Sequence, residues 1–174
     1  MKIATTPMCQ EILRLAGVSE FAIINNGVYN GADIAIVLSE TKIPENSSTK
    51  YIKLKLNTFK QIKESVKLIS NTLETEPLNE NLNYSSANHY QENKKIRIKV
   101  HSNFLHEIAE DMGFQIVEKN YDYLIYPDYL KKKLKKELII AGERAIELPT
   151  HRNAPLNPIE RAKIRYKILE NSIS

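Results

Sequence analysis

A chain of 174 residues, 42% of them hydrophobic, holds enough apolar material for a real core and is not of disordered composition. No apolar run approaches the roughly 18 residues that cross a bilayer, and residues 1–7 lack the charged-then-apolar pattern of a secretory leader, so a cytoplasmic location is expected. One cysteine excludes an intrachain disulfide and an all-cysteine metal cage from a single copy, and much of the +4 net charge is gathered in one run, Lys131–Lys136.

Residues 2–5 form a short strand candidate, after which Thr6 fits a helix N-cap and Pro7 the first helical position. Met8, Ile12, Leu15 and Ala16 follow at helical spacing, and Gly17 stops that helix. Phe21 to Ile24 reads as a strand, and the Asn-Gly pairs at 26–27 and 30–31 mark turns. Ile34 to Leu38 is almost continuously apolar, as a strand covered on both faces should be. Tyr51 to Leu56 alternates as a strand. Thr58 with Gln61 then makes a capping box ahead of Phe59, Ile62, Val66, Ile69 and Leu73. Residues 74–93 are polar and aperiodic, and read as a loop or linker between two sub-lobes.

Beyond that segment the opening pattern recurs. Ile96 to His101 is a strand, Ser102 a cap, and Phe104, Leu105, Ile108 and Met112 line a helix that ends at Gly113. Gln115 to Glu118 and Tyr123 to Tyr126 are further strands. Glu11-Ile12 to Gly17 matches Glu107-Ile108 to Gly113, and Ala32-Asp33-Ile34 matches Tyr121-Asp122-Tyr123. These matches fit either two degenerate β-α-β-β copies or chance similarity of two strand–helix units. The lysine run comes next, then an apolar strand at Leu138 to Ala141 and another near Ala145 to Leu148. Asn157, Pro158 and Glu160 open a last helix with Ile159, Ala162, Tyr166 and Leu169 inward. The whole reads as one α/β domain over 1–174, its mixed, mainly parallel sheet flanked by helices.

The sharpest constellation is Thr5-Thr6-Pro7-Met8-Cys9. With Thr6 as N-cap, Cys9 falls in the first helical turn, where unsatisfied N–H groups and the helix dipole favour a thiolate. The same groups could hold a phosphate, a carboxylate or a developing oxyanion. On this reading Cys9 turns about 100° from Met8 and stays partly exposed. The alternative is a small buried hydrophobe, the usual role of a lone cysteine.

The opening Met1-Lys2-Ile3-Ala4-Thr5-Thr6-Pro7-Met8-Cys9, at this chain length, resembles the HcgF-type thioester-forming proteins of iron-guanylylpyridinol (FeGP) cofactor biosynthesis, which serve the mono-iron hydrogenase of methanogenic archaea. The resemblance implies that an E1-like adenylyltransferase activates the carboxyl group of guanylylpyridinol and that Cys9 accepts it as a thioester. It implies other cofactor-assembly proteins as partners, and a homodimer is compatible with it.

Such a ligand needs a phosphate partner and polar groups. Ser39, Glu40, Thr41 and Lys42 follow the buried strand, so they share the sheet edge of Cys9 if the strands are parallel; Lys42 could meet the phosphate. His151 and Arg152, in the polar stretch Thr150–Asn153, offer proton transfer and phosphate binding. Both segments read equally as ordinary surface loops. No metal site is expected from this chain alone, since the four histidines are scattered and His101 and His106 miss the i, i+4 spacing. The lysine run is either a solvated face or a partner surface. With no aromatic or glycine interleaved, it does not favour a nucleic-acid module. Two other classes stay open: a non-enzymatic assembly factor and a basic RNA-associated domain.

Overall fold

Two parallel four-stranded sheets carry the chain, each built from one half of it. The computed structural model describes residues 1–24, 31–78, 82 and 90–173. The Asn-Gly pair at 26–27, Asn30 and much of the 74–93 segment lie outside them. The chain divides into two compact units, Met1–Leu82 with Leu156–Glu160, and Asn83–Pro155 with Arg161–Ser174.

In the first unit β1 (Ile3–Thr5) is followed by α1 (Gln10–Leu15), β2 (Ala22–Ile23), β3 (Ile34–Leu38), β4 (Lys50–Leu54) and α2 (Phe59–Leu73). The strand order is β2-β1-β3-β4 and every pairing is parallel, with Thr5 opposite Ile36 and Leu38 opposite Leu54. A parallel sheet is covered on both faces. That is why Ile34, Ala35, Ile36 and Val37 are all buried. Helix α2 opens on the capping box read from the sequence: the Gln61 N–H donates to Thr58 Oγ1 at 3.1 Å, and Gln61 Oε1 accepts from the Thr58 N–H at 3.4 Å. Its inward stripe is Phe59, Ile62, Val66 and Ile69. Because Thr58 is buried, Thr58→Ala is expected to cost about 1 kcal/mol and Thr58→Ser about half that or less, read by urea unfolding.

The second unit repeats the plan. After the short α3 (Tyr90–Asn93) come β5 (Arg97–Val100), α4 (Asn103–Asp111), β6 (Gln115–Ile116), β7 (Tyr123–Pro127), α5 (Lys135–Ala141), β8 (Ala145–Leu148) and α6 (Pro158–Ser172). The order β6-β5-β7-β8 is that of the first sheet, again all parallel. The sequence matches mark equivalent bonds. Asp33 Oδ2 accepts from the Lys2 N–H at 2.6 Å while the Asp33 N–H donates to the Lys2 carbonyl at 2.9 Å. Asp122 clips Arg97 in the same reciprocal way, at 2.8 and 2.7 Å. Both α1 and α4 end in a left-handed glycine, Gly17 and Gly113, with the following N–H reaching back to Leu13 and Ala109. Asn157 caps α6, its Oδ1 accepting from the Ile159 and Glu160 N–H groups.

Two local expectations are overturned. Residues 138–141 are not a strand but the end of α5, because a parallel β7–β8 pair needs a crossover and helical spacing turns Leu138 and Ala141 inward. Ile139 and Ile140 stand 80% and 74% exposed beside Lys135 and Lys136. The first helix begins at Gln10 with Cys9 as N-cap, not at Pro7 with Thr6 as N-cap. A tight turn closed by the Cys9 N–H on the Thr6 carbonyl at 3.0 Å comes first and delays the helix.

Candidate functional site

In each unit the chain leaves the first strand to one side, returns, and crosses to the other side, so the carboxyl ends of β1 and β3, and of β5 and β7, flank a topological switch point. Ligands of open α/β sheets bind outside such points. In the first unit the flanking segments are 6–9 and 39–42. The parallel β1–β3 pairing places both at one edge, as the sequence reading required.

Thr5 is fully buried and structural: its hydroxyl donates to the Ile36 carbonyl at 3.0 Å, tying β1 to β3. Thr6 follows with a buried hydroxyl oxygen that has no hydrogen-bond partner among the described residues. Pro7 and Met8 are half-buried. Across the switch point the Ser39 N–H donates to the Leu54 carbonyl at 2.8 Å, and its hydroxyl donates to the Glu40 carboxylate. The Thr41 N–H closes a turn on Leu38 at 3.0 Å, and Glu40 and Lys42 are exposed.

Cys9 is not partly exposed as expected; its exposure is 0%. The spacing of the residues that follow is the cause. The inward stripe runs Cys9, Ile12, Leu13, Ala16 at i, i+3, i+4, i+7, with Leu15 beside it as expected, all fully buried, and half-buried Met8 does not head it. The backbone carbonyl of Cys9 accepts from the Ile12 and Leu13 N–H groups.

His151 and Arg152 belong to the second unit, where both are exposed in the turn after β8. That turn is organised by Asp128, directly after β7. Its Oδ2 accepts from the Thr150 N–H and Asn153 Nδ2 at 3.1 and 2.6 Å, and its Oδ1 accepts from the Thr150 hydroxyl at 2.8 Å. Burial pushes the Asp128 carboxyl up, but the bonds from Asn153 and Thr150 outweigh it and hold the group below the usual carboxylate range. On the same sheet Glu137 of α5 joins Lys99 Nζ at 2.8 Å and His101 Nε2 at 2.9 Å. Burial raises the Glu137 carboxyl, and the bond from Lys99 with the His101 charge brings it below its ordinary value.

Sequence reasoning passed over Asp128, Glu137 and the buried arginines Arg161 and Arg165. The signal for the arginines was present: they sit one position before Ala162 and Tyr166 of the inward stripe, on its flank. Among the described residues no group of three or more His, Cys, Asp or Glu side chains could hold a metal ion, and no helix is long and apolar enough to cross a membrane.

These features define an α/β protein made of two copies of one parallel four-stranded plan, each with a switch point at its carboxyl edge. No protein-family model matches the chain, and no curated protein matches it significantly. Among solved structures it is similar to the Zn(II)-bound AdcAII H205L variant of Streptococcus pneumoniae, with a TM-score of 0.56 and 10% identity over 100% of this chain and 99% of that one. It is likewise similar to the laminin-binding protein Lbp of Streptococcus pyogenes, with a TM-score of 0.54 and 10% identity over 100% of both chains. At that identity the likeness is one of fold.

Proposed function

We propose that the chain binds guanylylpyridinol at the carboxyl edge of its first sheet and takes the activated acyl group as a thioester on Cys9 during FeGP cofactor assembly. One observation carries the reading. The chain's single thiol lies in the turn leaving β1 at the switch point, in the same turn as a buried Thr6 hydroxyl that has no partner among the described residues. In the step, the Cys9 sulfur attacks the carbonyl carbon of an acyl-adenylate supplied by an E1-like partner. The C–S bond forms, the C–O bond to AMP breaks, and the thiol proton leaves to solvent base. An acyl-adenylate is already activated, so alignment and an oxyanion donor suffice. The Thr6 hydroxyl is the nearest hydroxyl donor in sequence. The thiol is sealed, so transfer follows opening of the 6–9 turn by the ligand. The chemistry suits the reduced cytoplasm.

Intact-protein mass spectrometry after incubation with the adenylylated precursor tests this. The wild type should gain the acyl mass, and Cys9→Ser and Cys9→Ala, folded by circular dichroism, should gain none. An adduct on either variant, or none on the wild type, overturns the reading. The full burial of Cys9 favours a second reading, a non-covalent binding or assembly protein. Equal ligand affinity in wild type and Cys9→Ala with no adduct in either would support that one.

A further inference from the structure

We propose that the carboxyl edge of the second sheet carries an oxyanion site built on Arg165, which takes a phosphate or carboxylate group through its guanidinium. It does not rest on Cys9. Arg161 and Arg165 stand one turn apart on α6, only 2% and 4% exposed. A buried guanidinium is costly unless an anion compensates it.

The protein supplies Arg165 with two partial partners. Its Nε donates to the Pro149 carbonyl at 3.0 Å, and its guanidinium carbon lies 4.7 Å from the centre of the Phe104 ring. No carboxylate hydrogen-bonds or ion-pairs with it among the described residues. Asp128 attracts it from a distance, but that carboxylate is committed to Thr150 and Asn153. The neighbouring cation, Arg161, donates Nη1 to the Pro155 carbonyl at 3.0 Å and adds a like charge. Burial first, then Arg161, pushes the Arg165 guanidinium down to about 10.

Place and chemistry agree. Phe104 lies in the first turn of α4 after β5, Asp128 follows β7 and Pro149 follows β8, so Arg165 is held at the carboxyl ends of three parallel strands. A protein carbonyl and a ring leave the terminal nitrogens of the fork for two oxygens of one anion, the geometry by which arginine binds phosphate and carboxylate.

The test is calorimetric titration of the full chain with inorganic phosphate, guanosine monophosphate and acetate at constant ionic strength, alongside thermal unfolding. The wild type should bind at least one of the three, the strongest naming the source: free phosphate, nucleotide or carboxylate. Arg165→Gln should weaken that binding at least tenfold. Arg165→Met should abolish it, yet unfold without ligand at or above the wild-type temperature, because an uncompensated buried charge has been removed. Silence of the wild type toward all three anions overturns the proposal. So does an Arg165→Met protein that melts well below wild type while keeping the anion response, the result expected of a purely structural arginine.

Discussion

Gly17→Ala is expected to destabilise the protein by about 3 kcal/mol, while Gly31→Ala, at nearly the same backbone angle, should cost about 1 kcal/mol. Both glycines have left-handed backbones, with φ of +80° and +84°. A methyl group at Gly31 meets nothing within 4 Å among the described residues, so the conformational cost dominates. At Gly17 an ideal Cβ would lie 2.0 Å from the carbonyl oxygen of Glu76. That neighbour is backbone and cannot swing aside. It belongs to the stretch that closes α1, where the Thr75 hydroxyl donates to the Ala16 carbonyl at 2.5 Å and the Leu78 N–H to the Leu15 carbonyl at 2.8 Å. Making room for the methyl group breaks those bonds and leaves helix-end carbonyls bare. Urea unfolding of the two variants beside wild type checks the contrast. Equal costs would show that the close approach at Gly17 is relieved without loss.

Removing the Asp128 side chain should have an effect of similar size and a definite pH signature. Asp128→Ala leaves the Thr150 N–H, the Thr150 hydroxyl and Asn153 Nδ2 without their acceptor and removes a carboxylate charge that attracts Arg165. Bonds to a charged acceptor run about 1.5–3 kcal/mol each with overlap, so a loss of about 3 kcal/mol at pH 7 is expected. The folded carboxyl is held below its ordinary value, so its contribution is full above the unfolded value of about 3.9. It is lost as the pH falls through the lower folded value. The gap between wild type and Asp128→Ala should therefore be flat from pH 7 to about 5 and narrow below about 4. A gap that widens on acidification would mean that the hydrogen bonds do not favour the ionised form.

Features whose cause lies within a few residues could be read before any coordinates. The Thr58–Gln61 capping box and the apolar run of β3 were both legible, whereas the repeat stood level with chance similarity until the Asp33 and Asp122 clips, which reach 31 and 25 residues back along the chain, were seen to be equivalent. The site was only half legible. Parallel β1 and β3 bring segments 6–9 and 39–42 to one edge as expected, but Cys9 is fully buried instead of partly exposed. Ile12, Leu15 and Ala16 are buried as their spacing predicts, but Cys9 shares that face at i, i+3, i+7 with Ile12 and Ala16, while Met8, expected at its head, lies in the turn ahead of the helix and is only half-buried.

Chain-local chemistry by itself determined the α/β class, the caps at Thr58, Ser102 and Asn157 and the stops at Gly17 and Gly113, since each follows from the spacing and backbone preferences of neighbours. Only the tertiary structure decided that Leu138–Ala141 is helical with two isoleucines in water, that Asp128 organises the turn after β8, and that two arginines are buried on α6. Those outcomes depend on partners far along the chain, such as Lys99 for Glu137 or Pro149 and Phe104 for Arg165. Burial is a property of the assembled fold, and no single segment encodes it.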